Sequence, residues 1–291
     1  DSDALDKKKL EQYDLSVQEF TLKQVLRQAE ESGILHNATL IRELIDTYKT
    51  PQSLCLHPEK DVIRVSGQDF TDTLHAAYRD GLEETIIVTR SNKKASMYVD
   101  GIRNRILARE EMISGGDLVM VVKNNYTVGK DYKGFEFIAN GDVAEVVRVR
   151  GYTEIYDCVF ADVVLRFLDY DWEVDAKLLV DAFACVAPTD LQALNKKLFA
   201  TVEEDYLHIG NKRTRFKEMK KDLYLNALQV KFSYAITCHK AQGGQWKHVF
   251  VDMGMIKKED IDTAFLRWLY TACTRATDKL YLVNFDDAFF C

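Results

Sequence analysis

Two stretches near the carboxyl end of the sequence carry the residue types best suited to chemistry. The first, 232–252, reads FSYAITCHKAQGGQWKHVFVD, and a polar loop separates its two apolar runs. The polar and glycine residues of this loop are Thr237, His239, Lys240, Gln242, Gly243 and Gly244. Phosphate-binding loops need a backbone that comes close to the ligand and a few side-chain donors. The loop therefore suits phosphate contact, although a glycine pair alone also fits an ordinary strand-connecting turn.

The second stretch, 268–285, reads WLYTACTRATDKLYLVNF and places Arg275 near the end of a predicted helix. An arginine at that place is usually a C-terminal charge that interacts favourably with the helix macrodipole. The functional alternative is an arginine finger, which neutralises charge on a γ-phosphoryl group held by an adjacent domain. On the residues alone, both interpretations stay open.

The elements that must position these residues follow an α/β pattern. Residues 4–50 look helical, Thr85–Thr89 (TIIVT) reads as a buried strand, and a polar stop separates that strand from a helix over 93–107. Strand, polar turn and helix form the repeating unit of a parallel sheet. Ligands of such sheets lie beyond the carboxyl ends of the strands, which is where Thr89 and Asn92 fall.

From Gly116 onward, short β-rich runs alternate with turns. The Asn140-Gly141 pair between extended runs is a strong hairpin signal. We therefore expect a small β-barrel inserted into the α/β domain, which the insert splits in sequence. The expected units are a helical segment at 1–50, a split α/β domain at 51–114 and 226–291, a β insert at 115–189 and a basic helical connector at 190–225.

Composition excludes several protein classes. The chain has 291 residues, 47% of them hydrophobic, which is enough for one large or two to three small domains with proper cores. Its first residues lack the basic start and apolar core of a signal peptide, and they do not begin with methionine, so we expect a fragment. Charges interrupt every apolar run before the roughly 18 to 20 residues that a bilayer crossing requires. We expect a soluble protein without a membrane partner.

Six cysteines are dispersed, with no CxxC pair and no cysteine and histidine cluster at metal-ligand spacing. This pattern favours a reduced, cytoplasmic setting, associated with the nucleoid if the protein is bacterial, and it predicts no metal site. Cys238 and Cys273 lie inside the two chemical stretches, but strand or helix residues flank each of them. We interpret both as packing thiols rather than nucleophiles.

The net charge of −7, with an isoelectric point near 5.5, argues mildly against a nucleic-acid partner. The distribution of charge matters more than the sum. A basic run comprises Lys196, Lys197, Lys212, Arg213, Arg215, Lys217, Lys220 and Lys221. This run is either a contact surface for an anionic partner or the solvated face of helices.

Several blocks of the sequence resemble one enzyme family in order. Residues 234–243 (YAITCHKAQG) closely resemble motif V of superfamily 1 helicases of the RecD and Pif1 type, and 269–276 (LYTACTRA) resemble their motif VI. Upstream, 26–42 look like the motif IV region, 89–103 like the next conserved block, and 116–142 (GDLVM and NGD) like the start of an SH3-like insert. The resemblance covers nearly the whole chain. The family that the chain resembles includes the exonuclease V alpha subunits.

The resemblance implies the second RecA-like domain of such a helicase. This fold is a parallel-sheet α/β domain of the P-loop NTPase type that lacks its own P-loop, and a small SH3-like β-barrel interrupts it. ATP would lie between this domain and an amino-terminal RecA-like domain of the same protein. Arg27 and Arg275 would approach the γ-phosphate, and Gln242, Gly243 and Gln245 would sense the nucleotide.

Single-stranded DNA is the partner that the resemblance implies for the other residues. Thr237, His239 and Lys240 would face the strand, and Thr89 and Asn92 would supply a second set of phosphate contacts. Subunits of a recombination or repair complex are further expected partners.

Two departures from the family pattern matter. Gly244 and Gln245 stand where the family usually has a serine or threonine and often a glutamate, and Gln245 carries no charge. The second departure is larger, because the sequence has no G-x-x-x-x-G-K-[ST] loop and no acidic magnesium motif. ATP and Mg²⁺ would therefore be bound mainly by a missing amino-terminal domain, and we expect this chain alone to be inactive.

The function expected from these features is that of the carboxy-terminal motor half of an ATP-dependent DNA helicase that moves 5′ to 3′ on single-stranded DNA. Two alternatives remain open. One is a nucleic-acid-binding or interaction module without catalysis. The other is an RNA helicase of the same superfamily, since motifs V and VI do not report the 2′-hydroxyl.

Overall fold

The computed structural model describes residues 6–13, 15–18, 31–47, 50–128, 137–170 and 172–291. Its helices are α1 (Lys7–Glu11), α2 (Gly33–Asp46), α3 (Phe70–Ala77), α4 (Asn92–Gly101), α5 (Pro188–Asp205), α6 (Lys212–Met219), α7 (Cys238–Ala241) and α8 (Thr263–Cys273). Its strands are β1 (Val62–Val65), β2 (Thr85–Thr89), β3 (Leu118–Val121), β4 (Val143–Ile155), β5 (Cys158–Phe167), β6 (Glu173–Leu179), β7 (Val230–Phe232), β8 (Ala235–Thr237), β9 (Trp246–Asp252) and β10 (Ala276–Val283). Arg27, one of the two expected catalytic arginines, lies outside the described residues.

The first sheet is parallel, with strand order β1-β10-β9-β2-β8. All five residues of β2 are buried, as a strand covered on both faces requires. Ile86 of β2 belongs to the core that α2 and α8 cover, and Ile87 belongs to the core that α3 and α4 cover. Helices on both faces of a parallel sheet confirm the predicted α/β class.

Helix α2 is part of this core rather than of a separate helical segment. Ile34 and Ile41 are almost fully buried in the cluster that contains Leu269 of α8. The Ser32 hydroxyl caps the helix by accepting from the Ile34 N–H at 3.2 Å, and it donates to Asp61 at 2.6 Å. The cap therefore ties the start of α2 to the turn before β1.

The second sheet is antiparallel, with strand order β6-β5-β4-β3-β7. Its last strand, β7, falls in the stretch that we assigned to the α/β domain, but Val119 of β3 pairs with Phe232 of β7. Strand texture alone does not say which sheet a strand joins. The antiparallel sheet is thus established, while its closure into an SH3-like barrel remains a prediction. A single bridge between Leu178 and Leu228 brings β6 next to the segment that leads into β7.

The tight hairpin turn is not where we expected it. The Asn140-Gly141 pair lies in a turn that leads into β4, and only its glycine has a positive φ, of +106°. The two-residue turn is Tyr156-Asp157 between β4 and β5, where φ is 57° and 51°. A type I′ turn needs positive φ at both central residues, and here a tyrosine and an aspartate supply it. The usual glycine signal was therefore absent.

A buried carboxylate joins the two sheets. Asp117, which precedes β3, is fully buried and accepts hydrogen bonds from Arg103 (3.1 Å), Arg109 (2.7 Å), the Tyr234 hydroxyl (2.8 Å) and the Ser114 N–H (2.8 Å). Arg103 follows α4, and Tyr234 links β7 to β8. Burial, together with the Asp117 charge, raises the pKa of Tyr234 above its usual range, so the hydroxyl keeps its proton and donates.

The cysteines partly depart from expectation. Cys55 and Cys291 form a disulfide with their Cα atoms 5.4 Å apart, although we expected a reduced setting. The two cysteines are 236 residues apart in the sequence, so no rule based on cysteine spacing predicts this pairing. Cys238 and Cys273 are buried free thiols, which agrees with a packing role. In the described part of the chain, no helix has the length and apolarity needed to cross a membrane.

We predict that Asp117→Asn destabilises the chain by about 3–5 kcal/mol, because it leaves two guanidinium groups near the sheet junction without their charge partner. Urea unfolding measures the change in the free energy of unfolding. The matched control is Asp175→Asn on β6, whose ion pair with Arg150 is solvent-exposed and should contribute less than about 1 kcal/mol. Equal losses in the two variants would contradict a special role for Asp117.

Candidate functional site

The carboxyl ends of neighbouring parallel strands bring the expected site residues together. Thr237 ends β8 and pairs in register with Thr89, which ends β2. On the other side of β2, Asp252 ends β9. Asn92 begins α4 just beyond β2. This edge of the sheet is the place where α/β proteins bind ligands.

Thr89 does not face solvent at this edge. Its side chain is fully buried, and its hydroxyl donates to the Ser91 carbonyl at 3.0 Å. Ser91 in turn caps α4 by accepting from the Lys94 N–H at 3.2 Å. Thr89 thus shapes the turn from β2 into α4, and the direct DNA contact that we expected of it is not supported. Asn92 is exposed and keeps its candidacy.

The loop after β8 begins with a single helical turn, α7. Its Cys238 and Ala241 face the core, and its His239 and Lys240 face solvent. The Cys238 thiol donates to the Trp268 carbonyl at 3.5 Å, and burial raises its pKa to about 11. This thiol is a packing group, as predicted, and the exposed side chains of the turn are free to meet a ligand.

The two glycines after α7 have different structural reasons. Gly243 adopts a φ of +87°, which a residue with a Cβ atom adopts with strain. At Gly244, a Cβ atom would lie 2.4 Å from the Trp246 ring, so only glycine fits without movement. Gln242 and Gln245 on either side are exposed. The backbone of this loop is therefore open to close approach.

Arg275 connects the loop to the end of α8. Its Nη1 donates to the Gly244 carbonyl at 3.1 Å, and its Nε donates to the Thr271 carbonyl at 3.0 Å. In the backbone, the Trp246 N–H donates to the Arg275 carbonyl at 3.0 Å. The two chemical stretches of the sequence therefore meet, as expected. The contact with Thr271 corresponds to the expected role of an arginine at the end of a helix. The contact with Gly244 fixes the position of the loop.

A cavity of about 620 Å³ opens between α4 and β8 on one side and the antiparallel sheet with the start of α5 on the other. Asn92, Thr237 and Lys240 all line it. Lys240 is exposed, yet enough protein surrounds it that burial lowers its pKa. Three of the five residues expected at the strand thus border one cleft, whereas His239 and Thr89 are not among its lining residues.

Sequence reasoning missed a second lysine in this cleft. The Lys231 ammonium donates to the carbonyls of Ala182, Phe183 and Cys185, the Phe183 bond being 3.1 Å long. Burial is the main cause that lowers the pKa of Lys231 to about 8. Its only sequence signal is a charged residue inside the otherwise apolar β7.

Two other groups lie apart from the cleft. Tyr126 is exposed and stacks on Phe137 with ring centroids 5.4 Å apart. Several members of the basic run pair with nearby acids, which fits the solvated-face interpretation. These pairs are Lys197 with Asp157 (3.2 Å), Arg215 with Glu203 (3.1 Å) and Lys221 with Glu218 (2.8 Å).

Comparison with solved structures finds similarity to helicases over most of the chain. The chain is similar to the structure of Pif1 helicase from Bacteroides in complex with ADP-AlF3 and ssDNA, with 12% identity, a TM-score of 0.45, and coverage of 93% of this chain and 53% of that one. For Pif1 helicase from Candida albicans, the values are 14%, 0.38, 92% and 56%. The chain thus spans about half the length of these structures. TM-scores below 0.5 do not establish a common fold.

No curated protein sequence matches the chain significantly. Residues 232–283 match the family model of the UvrD-like helicase C-terminal domain. These residues contain the loop after β8, all of β9, α8 and β10, and Arg275. The segment in which Arg275 meets the glycine loop is therefore similar to a helicase C-terminal domain.

Proposed function

We propose that this chain is the carboxy-terminal half of an ATP-dependent DNA helicase motor. The observation that carries the proposal is the contact of Arg275 with Gly244, inside a segment that matches the UvrD-like helicase C-terminal domain. In this proposal the parallel sheet is a second RecA-like domain, and the antiparallel sheet is an SH3-like insert. An amino-terminal RecA-like domain would complete the motor. The chain would belong to the RecD and Pif1 type and serve recombination or repair.

The nucleotide side of the proposal rests on Arg275. In a closed motor the guanidinium would exchange its Gly244 or Thr271 contact for the γ-phosphate of ATP held by the upstream domain, which would also hold Mg²⁺. Arg27 would be the second such arginine. Gln242, Gly243 and Gln245 border the same contact and would report the nucleotide state. Because Arg275 holds the loop at Gly244, a movement of the arginine would shift this loop and with it the neighbouring strand-binding residues.

The strand side of the proposal rests on the carboxyl edge of the sheet. Thr237 and Asn92 supply a hydroxyl and an amide, and His239 and Lys240 are exposed beside them. Hydroxyls, amides, imidazole and ammonium groups are the usual donors to phosphate oxygens. Closure and reopening of the nucleotide cleft would move this edge along single-stranded DNA, in the 5′ to 3′ direction by resemblance.

We predict that Arg275→Ala lowers DNA-stimulated ATP hydrolysis by about 10³-fold or more in the protein that includes its natural upstream domain. The reason is the loss of positive charge beside the transferring phosphoryl group. Steady-state phosphate release measures the rate, and the matched control is Arg267→Ala, an exposed arginine on α8, the helix that precedes Arg275. Equal rates in wild type and Arg275→Ala would exclude the finger role, and an inactive wild type would favour a module without catalysis.

We further predict that Thr237→Val weakens binding of single-stranded DNA by about tenfold, the equivalent of one hydrogen bond of about 1–1.5 kcal/mol. Valine preserves the shape of threonine and removes its hydroxyl. Fluorescence anisotropy with labelled DNA and RNA strands measures the dissociation constants and separates the DNA from the RNA preference. Thr214→Val on the exposed start of α6 is the control and should bind like wild type. Unchanged binding in Thr237→Val would remove Thr237 from the strand path.

A further inference from the structure

The cleft beside Thr237 is larger than phosphate contacts require. Its volume of about 620 Å³ falls in the range of sites that enclose small organic ligands. Most of its lining is apolar and comes from both sheets and from α4, including Met120, Val159 and Ile236 of the sheets and Val99 of the helix. A strand held only by its phosphates would leave this apolar interior unused.

An aromatic platform stands in the cleft. Phe183 lines the cavity, is half-buried, and stacks on Phe232 with ring centroids 4.3 Å apart and planes 25° apart. The Arg103 guanidinium carbon lies 4.1 Å from the centroid of Phe232. Because Asp117 holds Arg103, this stack is anchored in the buried network that joins the sheets. The Phe183 ring is therefore fixed before any ligand arrives.

Lys231 fixes the backbone beneath the same ring. Its ammonium bonds to the carbonyls of Ala182, Phe183 and Cys185, so it holds the turn that carries Phe183. These three carbonyls take all three N–H donors of the ammonium, so Lys231 acts on a nearby anion through its charge and not through a hydrogen bond. Lys240 lines the same cavity, and the repulsion between the two ammonium groups contributes to the lowered pKa of Lys231. An anion between them would relieve this repulsion.

Two carboxylates also line the cavity and limit where an anion can sit. Asp181 accepts from the Val159 N–H at 2.7 Å, which places it on the side of the antiparallel sheet. Asp100 lies near the end of α4, away from Asn92 at its start. The mouth near Asn92, Thr237 and Lys240 is thus the favourable place for a phosphate, and the apolar interior is the favourable place for an uncharged ring.

We propose that this cleft receives an unpaired nucleobase, which stacks on Phe183 while the adjoining phosphate lies at Thr237 and Lys240. The proposal rests on the proposed function, because it needs a single strand at the carboxyl edge of the sheet. A cationic groove next to an aromatic stacking face is the usual design of sites that bind single strands without sequence preference. An uncharged peptide segment would match the apolar interior but not the Lys240 ammonium group at its mouth.

The test compares natural and abasic single strands of equal length and charge in the protein with its upstream domain. Phe183→Ala should weaken anisotropy-measured binding of an oligothymidylate by about tenfold, since removing one stacking aromatic has an effect of this order. The same variant should bind the abasic strand as wild type does. Phe137→Ala, an exposed aromatic outside the cleft, is the matched control and should not change either affinity.

Phe183→Trp supplies a direct readout of stacking and covers the case in which the alanine variant fails to fold. Its additional tryptophan emission, relative to wild type, should be quenched by oligothymidylate and not by the abasic strand, with affinity retained. Unquenched emission, or quenching by thymidine monophosphate at equal concentration, would overturn the proposal, the latter in favour of a free-nucleotide site.

The outcomes separate this proposal from the proposed function. If Thr237→Val weakens strand binding while Phe183→Ala binds oligothymidylate like wild type, the nucleobase site is refuted and the helicase proposal stands. If wild-type protein binds neither strand, both are refuted. Saturable quenching by an unrelated apolar compound, without any strand effect, would make the cleft a small-molecule site.

Discussion

The architecture depends on one buried carboxylate whose partners are positively charged or neutral hydrogen-bond donors. Asp117 meets two guanidinium groups and a phenol hydroxyl at the only place where the chain passes directly from the antiparallel to the parallel sheet among the described strands. A buried charge is tolerable only with such partners, so the groups must arrive together. The segments that follow α4, precede β3 and connect β7 to β8 are thereby fixed relative to one another.

The candidate site inherits its geometry from that junction. Tyr234 binds Asp117, and three residues later Thr237 ends β8 at the edge where ligands are expected. Arg103 also binds Asp117 and contacts Phe232 within the cleft. The glycine loop is held from the other side by Arg275. Two separate anchors thus hold the two ends of the stretch from Tyr234 to Gly244.

Much of the parallel sheet and its edge was predictable, because the signals are local. A run such as TIIVT followed by a polar stop reports a buried strand and a turn into a helix, and Asn92 and Thr237 do meet at the carboxyl edge. The burial of Thr89 was not predictable, since threonine serves equally as a donor to ligand and as a donor to a neighbouring carbonyl. Only the structure shows that the Thr89 hydroxyl donates to the Ser91 carbonyl.

Other features depend on partners distant in sequence. Lys231 binds carbonyls 46 to 49 residues away, and Cys55 meets Cys291 across almost the whole chain. Strand β7 looks like its neighbour β8, but the two join different sheets. The Tyr156-Asp157 turn lacks the glycine that usually marks such turns. No periodicity or motif in the sequence predicts any of these features.

The short connection between β7 and β8 has a mechanical consequence. Only Ser233 and Tyr234 separate the two strands, and both residues are buried. So short a link has no slack to absorb rotation of one sheet against the other. Any tilt of the antiparallel sheet would act through this link as a lever on the carboxyl end of β8. A force on the antiparallel sheet would therefore displace Thr237 first. A displacement of Thr237 would in turn rotate the antiparallel sheet.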